Sequence, residues 1–156
     1  MTTRSVTHDT FLSERTYEAP PERVFAAWAD PDQKPRWFGN PDGWEGELYE
    51  LDFRVGGHER MRGRIAGGPE IVYEARYVDI VDGERIVYAY DMHVDGTRIS
   101  VSLGTVQIRT KGSGTHLSYT EQGAFLDGLD EPEQRRNGTE QLLDGLGAFL
   151  TDEFAS

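Results

Sequence analysis

Between Trp44 and Glu121 the chain changes side-chain character at every second residue, and glycine-containing turns break that pattern at short intervals. Tyr49, Leu51, Phe53 and Val55 alternate with Glu50, Asp52 and Arg54, then Gly56-Gly57 turns. His58–Ile65 follows with Met61 and Ile65 in phase, then Gly67-Gly68-Pro69. Ile71, Tyr73, Ala75 and Tyr77 alternate with Glu74 and Arg76, and Asp82-Gly83 leads to Ile86, Tyr88, Tyr90 and Met92. Asp95-Gly96 leads to Ile99, Val101 and Leu103, where the apolar phase slips at Gly104 to Val106 and Ile108, predicting a β-bulge there. Gly112-Ser113-Gly114 then opens a last strand with Leu117, Tyr119 and Glu121 in phase. Successive side chains of a strand point to opposite faces, so this is a meander with one apolar face that something must cover.

The flanks supply the cover. Thr10–Glu18 reads as a strand and Ala19–Asp30 as a short helix, with Pro21 suited to its first position. Asp30-Pro31-Asp32-Gln33 carries a capping-box pattern and predicts a second short helix, which Pro35 keeps brief. Toward the end, Leu142, Leu143, Leu146, Phe149, Leu150 and Phe154 recur at helical period, in a helix expected to start near Pro132. The expected fold is α+β: an antiparallel sheet of about seven strands, two short helices after the first strand, and a long carboxyl-terminal helix. At 156 residues the chain matches one domain, with its core from about residue 10 to 154.

Charge and composition narrow the partners. The net charge of −12 argues against a nucleic-acid surface. There are no cysteines, so thiolate metal sites and cysteine nucleophiles are excluded. His8, His58, His93 and His116 are dispersed, and Asp127, Asp130, Glu131 and Glu133 lack calcium-loop spacing and read as a solvated approach to the last helix. No metal or cofactor is expected. The first ten residues are polar and no apolar run reaches membrane-span length, so the expectation is a cytoplasmic protein, monomer or homodimer, with no membrane span.

Several segments resemble one family. Ala19 to Pro31, followed by Arg36-Trp37-Phe38, is similar to the opening motif of bacterial proteins related to the activator of the heat-shock-protein-ninety ATPase. Asp52 to Gly57, Asp79 to Tyr88, Gly114 to Leu117, and Gly138 with Leu142, Leu143, Leu146 and Leu150 resemble its later motifs in the same order. Thr139 departs from the pattern, standing where many relatives carry Trp. The resemblance extends to the START-like, birch-pollen-allergen-like superfamily and implies its helix-grip fold, with a hydrophobic pocket between sheet and last helix.

The implied pocket organises the candidate residues. Trp37, Phe38, Trp44, Phe53, Met61, Tyr73, Tyr88 and Tyr90 are expected to line it, with Leu142 and Leu146 opposite. In this fold the first and last strands are neighbours, so Arg15 and Glu121 are expected to point inward, meet, and form its polar end. The glycines Gly138, Gly145 and Gly147 would bend the helix or leave volume beside it. Three functions fit. The first is non-catalytic binding of a small hydrophobic or aromatic molecule. The second is a polyketide cyclase or dehydratase type of enzyme using the same pocket, with Glu121 and Arg15 as its charged groups. The third is a co-chaperone-like protein-interaction domain.

Overall fold

The computed structural model describes residues 3–39 and 41–155, with side chains as far as Asp152. The side chain of Phe154, the last member of the apolar helical set, lies outside what is described. Seven strands form one antiparallel sheet: β1 (Val6–Tyr17), β2 (Trp44–Leu51), β3 (His58–Ile65), β4 (Glu70–Val81), β5 (Arg85–Val94), β6 (Thr97–Lys111) and β7 (Gly114–Leu126). Their order across the sheet is β1-β7-β6-β5-β4-β3-β2. The tight turns predicted from β2 onward make each strand the neighbour of the next, and β1 closes against β7. Helix α1 (Pro21–Ala29) follows β1, and α2 (Pro132–Ala155) ends the chain. Among the described residues no helix is long and apolar enough to cross a membrane.

The concave face collects the predicted apolar phases. Tyr73, Ala75 and Tyr77 of β4, Ile86, Tyr88 and Tyr90 of β5, and Leu117 and Tyr119 of β7 are all buried. Helix α1 adds Val24, Phe25, Ala27 and Trp28, and α2 adds Leu143, Leu146, Phe149 and Leu150. The result is the helix-grip architecture.

Three expectations need correction. Between α1 and β2 the described residues form a single 3-10 turn, Lys34–Arg36, in place of a second short α-helix. Asp30 accepts from the Asp32 amide at 2.8 Å and from Gln33 Nε2 at 3.0 Å, as a cap should, yet Pro35 has no amide to extend the helix. The phase of β6 is also different. Ser100, Ser102, Val106 and Ile108 face the core, while Val101 and Leu103 are exposed. The register of β6 with β7 runs unbroken past Gly104, and the irregularity lies instead at Met92/His93 of β5, where Ile99 is the extra residue of β6. Gly104 owes its identity to packing: a Cβ there would lie 2.8 Å from the Tyr88 ring and 3.0 Å from the Tyr119 hydroxyl.

The third correction concerns Arg15 and Glu121. The strands β1 and β7 do pair, but Glu121 lies opposite Phe11 and Arg15 opposite Leu117. Four positions along a strand separate them by about 14 Å. Arg15 turns to α2, donating from Nε to Asp144 at 3.0 Å and pairing with Glu140.

Between β2 and β3, Gly56 takes φ +84° in a turn that L side chains resist. A Cβ on Gly57 would sit 2.1 Å from the Asp52 carbonyl oxygen. The loop is tied to β4, the Gly56 amide donating to Tyr77 O at 2.8 Å and the Tyr77 amide to Gly57 O at 3.0 Å.

Candidate functional site

The curvature of the sheet and the first turns of α2 leave a cavity of about 690 Å³ between them. That falls within the ~300–1,000 Å³ usual for small-molecule sites. One wall is aromatic. Trp28 meets Trp37 edge-on at 4.8 Å between ring centroids, Trp37 meets Phe38 at 5.7 Å, Phe38 meets Tyr73 at 5.4 Å, and Tyr73 leans on Tyr90 at 5.0 Å. Short α1 delivers Trp28, and the 3-10 turn reverses the chain so that Trp37 and Phe38 face back toward the sheet. Trp37 is locked there by its indole N–H, which donates to Ala27 O at 3.0 Å. Trp44, Met61 and Ile65 close one side, and Met92, Val94 and Ile99 another. From α2 come Gly138, Thr139, Leu142 and Gly145. A Cβ on Gly138 would meet nothing within 4 Å, so this glycine opens onto free space.

Of the residues expected at the pocket, Trp37, Phe38, Trp44, Met61, Tyr73, Tyr88, Tyr90 and Leu142 are brought together around it. Four are placed elsewhere. Phe53 packs edge-on against Phe25 and Tyr77, away from the cavity. Leu146 is fully buried in the core beneath α2. Arg15 lies on the far side of that helix. Glu121 is 1 % exposed and sits behind the wall, joined to it through tyrosines.

The polar end is built by a residue that the sequence reading missed. Arg135, from the first turn of α2, reaches into the sheet with 11 % of its side chain exposed. Its Nη1 donates to Tyr90 Oη at 3.0 Å and to Glu121 Oε2 at 3.4 Å; its Nη2 donates to Ser100 Oγ at 2.8 Å and pairs with Asp130. Burial opposes the charge on Arg135, but Tyr90, Asp130 and Glu121 together outweigh it and raise its pKa. Glu121 also accepts from Tyr90 Oη at 2.9 Å, from Tyr119 Oη at 2.8 Å and from Ser102 Oγ at 3.0 Å. The inward serines of β6 are therefore partners of this buried pair. Burial is the main cause that pushes the Tyr90 and Tyr119 phenols up, and the Glu121 carboxylate adds to it. Asp130 belongs to this cluster and Asp127 pairs with Arg4 and the Ser5 amide, so the acidic stretch is not merely solvated.

A second buried pair lies behind the aromatic wall. Lys34 Nζ donates to Glu59 Oε1 at 2.6 Å, with 1 % and 0 % of the two side chains exposed. Tyr49 Oη donates to Glu59 Oε2 at 2.7 Å, and Tyr77 Oη stands 3.3 Å from both Lys34 Nζ and Glu59 Oε1. The ammonium lies over the Phe38 ring at 4.3 Å. Burial lowers the Lys34 pKa, and Glu59 offsets part of that.

Both networks left faint traces in the sequence. Glu59 is in phase with Met61 on β3, and Arg135 precedes Leu142 by two helical turns on one face. Lys34 left none, because its burial depends on a 3-10 turn with no periodic pattern.

Comparison with known proteins fits this architecture. A family model described as activator of Hsp90 ATPase homolog 1-like protein matches residues 18–151. A solved structure from Rhizobium leguminosarum is 44 % identical, with TM-score 0.92, covering 97 % of this chain and 99 % of that one. One from Rhizobium loti is 46 % identical with TM-score 0.86, covering 93 % and 99 %. One from Chromobacterium violaceum is 30 % identical with TM-score 0.77, covering 90 % and 96 %. No curated protein sequence matches at a significant level. The motifs, the helix-grip sheet and these likenesses agree: the chain belongs to the activator of Hsp90 ATPase homolog 1-like family of the START-like superfamily.

Proposed function

We propose that the protein binds one small hydrophobic or aromatic molecule in the cavity between sheet and α2 and does not transform it. The observation that carries this is the cavity itself, about 690 Å³ held open among buried rings. Unfilled apolar volume costs a fold stability, because its lining atoms lose dispersion contacts. A chain that keeps this much of it is built for an occupant. The net charge of −12 supports a small molecule over a nucleic acid as the partner.

The polar end supports binding over turnover. Glu121 receives four donors and Arg135 faces two carboxylates, so neither is left poised as a base or acid toward the cavity. A cyclase or dehydratase type of reaction is the second reading. It is favoured by the Tyr88–Tyr119–Glu121 chain, which links a cavity wall to a buried carboxylate through hydroxyls 3.1 and 2.8 Å from their acceptors.

Native mass spectrometry of the protein purified from its own host tests the reading, together with titration of an apolar fluorescent dye. The expected result is one retained small molecule or one dye per chain, with tryptophan quenching from Trp28, Trp37 and Trp44. Leu142→Trp, which fills the cavity from α2, should abolish both. A protein that retains nothing and takes up no dye would overturn the reading.

A further inference from the structure

Polarity around the cavity is one-sided. Apart from its tyrosines, the sheet presents only apolar groups there, among them Trp44, Met61, Ile71 and Met92. The hydroxyls of those tyrosines are spent or sealed. A carboxylate can only accept hydrogen bonds. Tyr119 Oη, 2.8 Å from Glu121, therefore gives its proton to that carboxylate, and Tyr88 Oη, 3.1 Å from Tyr119, gives its own to Tyr119. Tyr90 Oη donates to Glu121 and accepts from Arg135, while the Tyr73 hydroxyl is sealed by its neighbours.

The polar side is α2 with the loop before it, which bring Asp130, Gln134, Arg135, Thr139 and Gln141 to the cavity. Asp130 and Arg135 answer each other, and Gln134 and Gln141 are exposed on the helix. Thr139 differs from all four, being 6 % exposed. It stands one turn after Arg135, which reaches the sheet, and one turn before Leu142 and Leu143, which line the cavity. Helical spacing turns its side chain toward the same space. Its hydroxyl makes no hydrogen bond among the described residues, not even the return to a carbonyl one turn earlier that Thr151 makes to Gly147 O at 3.1 Å. Unlike the Tyr73 hydroxyl and the Trp28 indole N–H it is not sealed, and the surface it keeps is on the cavity. A Cβ on neighbouring Gly138 would meet nothing within 4 Å, so there is room beside Thr139 for a ligand group to reach it.

Charge adds a second constraint. Arg135 is answered by Glu121 and Asp130 together, so this end of the cavity holds two carboxylates against one guanidinium. An entering anion would be desolvated with no uncommitted cation to meet it, and a cation would find both carboxylates already taken.

We propose that the ligand is a neutral amphipathic molecule with one hydroxyl or carbonyl group, and that this group lies against α2 on the Thr139 hydroxyl while the apolar body lies against the sheet. The assignment rests on the reading that the cavity holds a small molecule. A threonine hydroxyl both donates and accepts, so it serves either polar group. Thr139 is thereby a specificity residue, and it sets which way round the ligand sits.

Calorimetric titration with 2-naphthol and its near-isostere 2-methylnaphthalene tests this in the wild type, in Thr139→Val, which keeps the side-chain shape and removes the hydroxyl, and in Thr139→Ser, which keeps the hydroxyl. The ratio of naphthol to methylnaphthalene affinity should fall about tenfold in Thr139→Val, as one buried hydrogen bond is lost, and return in Thr139→Ser. Methylnaphthalene affinity itself should not fall in Thr139→Val, a selectivity that a merely structural threonine would not produce. Nuclear Overhauser contacts in the wild-type complex should place the naphthol protons beside the hydroxyl near the Thr139 methyl, and the far ring near the methionine methyls of the sheet. A ratio unchanged in Thr139→Val, or a naphthol bound the other way round, overturns this proposal and leaves the cavity reading standing. Naphthoate or naphthylmethylammonium bound more tightly than naphthol overturns the neutral ligand. Binding of none of the four probes overturns the cavity reading, and this proposal with it.

Discussion

The two buried ion pairs look alike on paper and differ in what they touch. Lys34–Glu59 is sealed on every side, by Tyr49, Tyr77 and the rings of Phe38 and Trp28. It fastens the 3-10 turn to β3 and has no surface on the cavity. Arg135–Glu121 joins α2 to β7 and β6, and its Arg135 and Asp130 stand on the cavity's edge. Burial of charge is thus common to a brace and to a site. Contact with open volume is what separates them, and neither burial nor charge alone would have done so.

The condition that strikes both ends together should have the largest effect. All seven tyrosines, from Tyr17 to Tyr119, have pKa values raised in the fold, with burial the leading cause in each. Above pH 10, the ordinary tyrosine value, the unfolded chain loses phenolic protons that the folded chain keeps. The unfolded state then binds fewer protons, so stability falls as pH rises, by up to about 1.4 kcal/mol per tyrosine per pH unit. Circular dichroism should show cooperative unfolding soon after pH 10 is passed. A protein still folded well above that pH would break the picture.

Removing one partner of the sealed pair comes next. Glu59→Leu strands the Lys34 ammonium and should cost about 3–5 kcal/mol in chemical denaturation. Lys34→Met combined with Glu59→Leu should cost much less than that single change. If the double variant is the worse of the two, the pair is more than a brace.

Gly57→Val strikes the same end through the backbone. The new side chain runs into the Asp52 carbonyl and disturbs the loop's bonds to Tyr77, for an expected loss of roughly 1–3 kcal/mol. Dye affinity of the folded fraction should be unchanged, because this loop does not reach the cavity. Altered affinity would show that the two ends are coupled.

The smallest stability effect belongs to the cavity side. Thr139→Trp restores the residue that many relatives are expected to carry and fills space left beside Gly138. Melting temperature should move little, while apolar-dye affinity drops at least about tenfold. A large loss of stability with affinity intact would remove the cavity from contention as the site.

Legibility in the sequence followed the chemistry of each face. Strands β4, β5 and the start of β7 could be read because their inward residues are mostly apolar or aromatic, Tyr73, Ala75 and Tyr77, then Ile86, Tyr88 and Tyr90, then Leu117 and Tyr119. The same reasoning misplaced β6, where Ser100 and Ser102 face inward and Val101 and Leu103 outward. Alternation records which residues differ, and a polar residue facing in looks the same as one facing out. For that reason the sequence points to Arg15 on β1 as the partner of Glu121, while its partners lie on β5, β6, β7 and α2. Eight of the twelve expected pocket residues surround the cavity, since a large ring on an apolar phase has few other places to go. Lys34 stayed hidden because a 3-10 turn has no periodic pattern, and Arg135 because its place on the Leu142 face is too faint a mark of burial for a basic residue.

Helix α2 is held in two different ways along its length. Its later turns rest on the core through Leu143, Leu146, Phe149 and Leu150, whereas from Arg135 to Leu142 it borders the open volume and is held by polar ties, Arg135 to Glu121 and Asp130 and Glu140 to Ser13 and Arg15. Hydrogen bonds over packed side chains open only with the whole fold, while those over a void open locally and often. The amides of the first turns should accordingly exchange with solvent orders of magnitude faster than those near Leu146. The helix is rooted by packing at its carboxyl half and by polar ties at its amino half, so local opening of its first turns would give a molecule a way into and out of the cavity without unfolding the sheet.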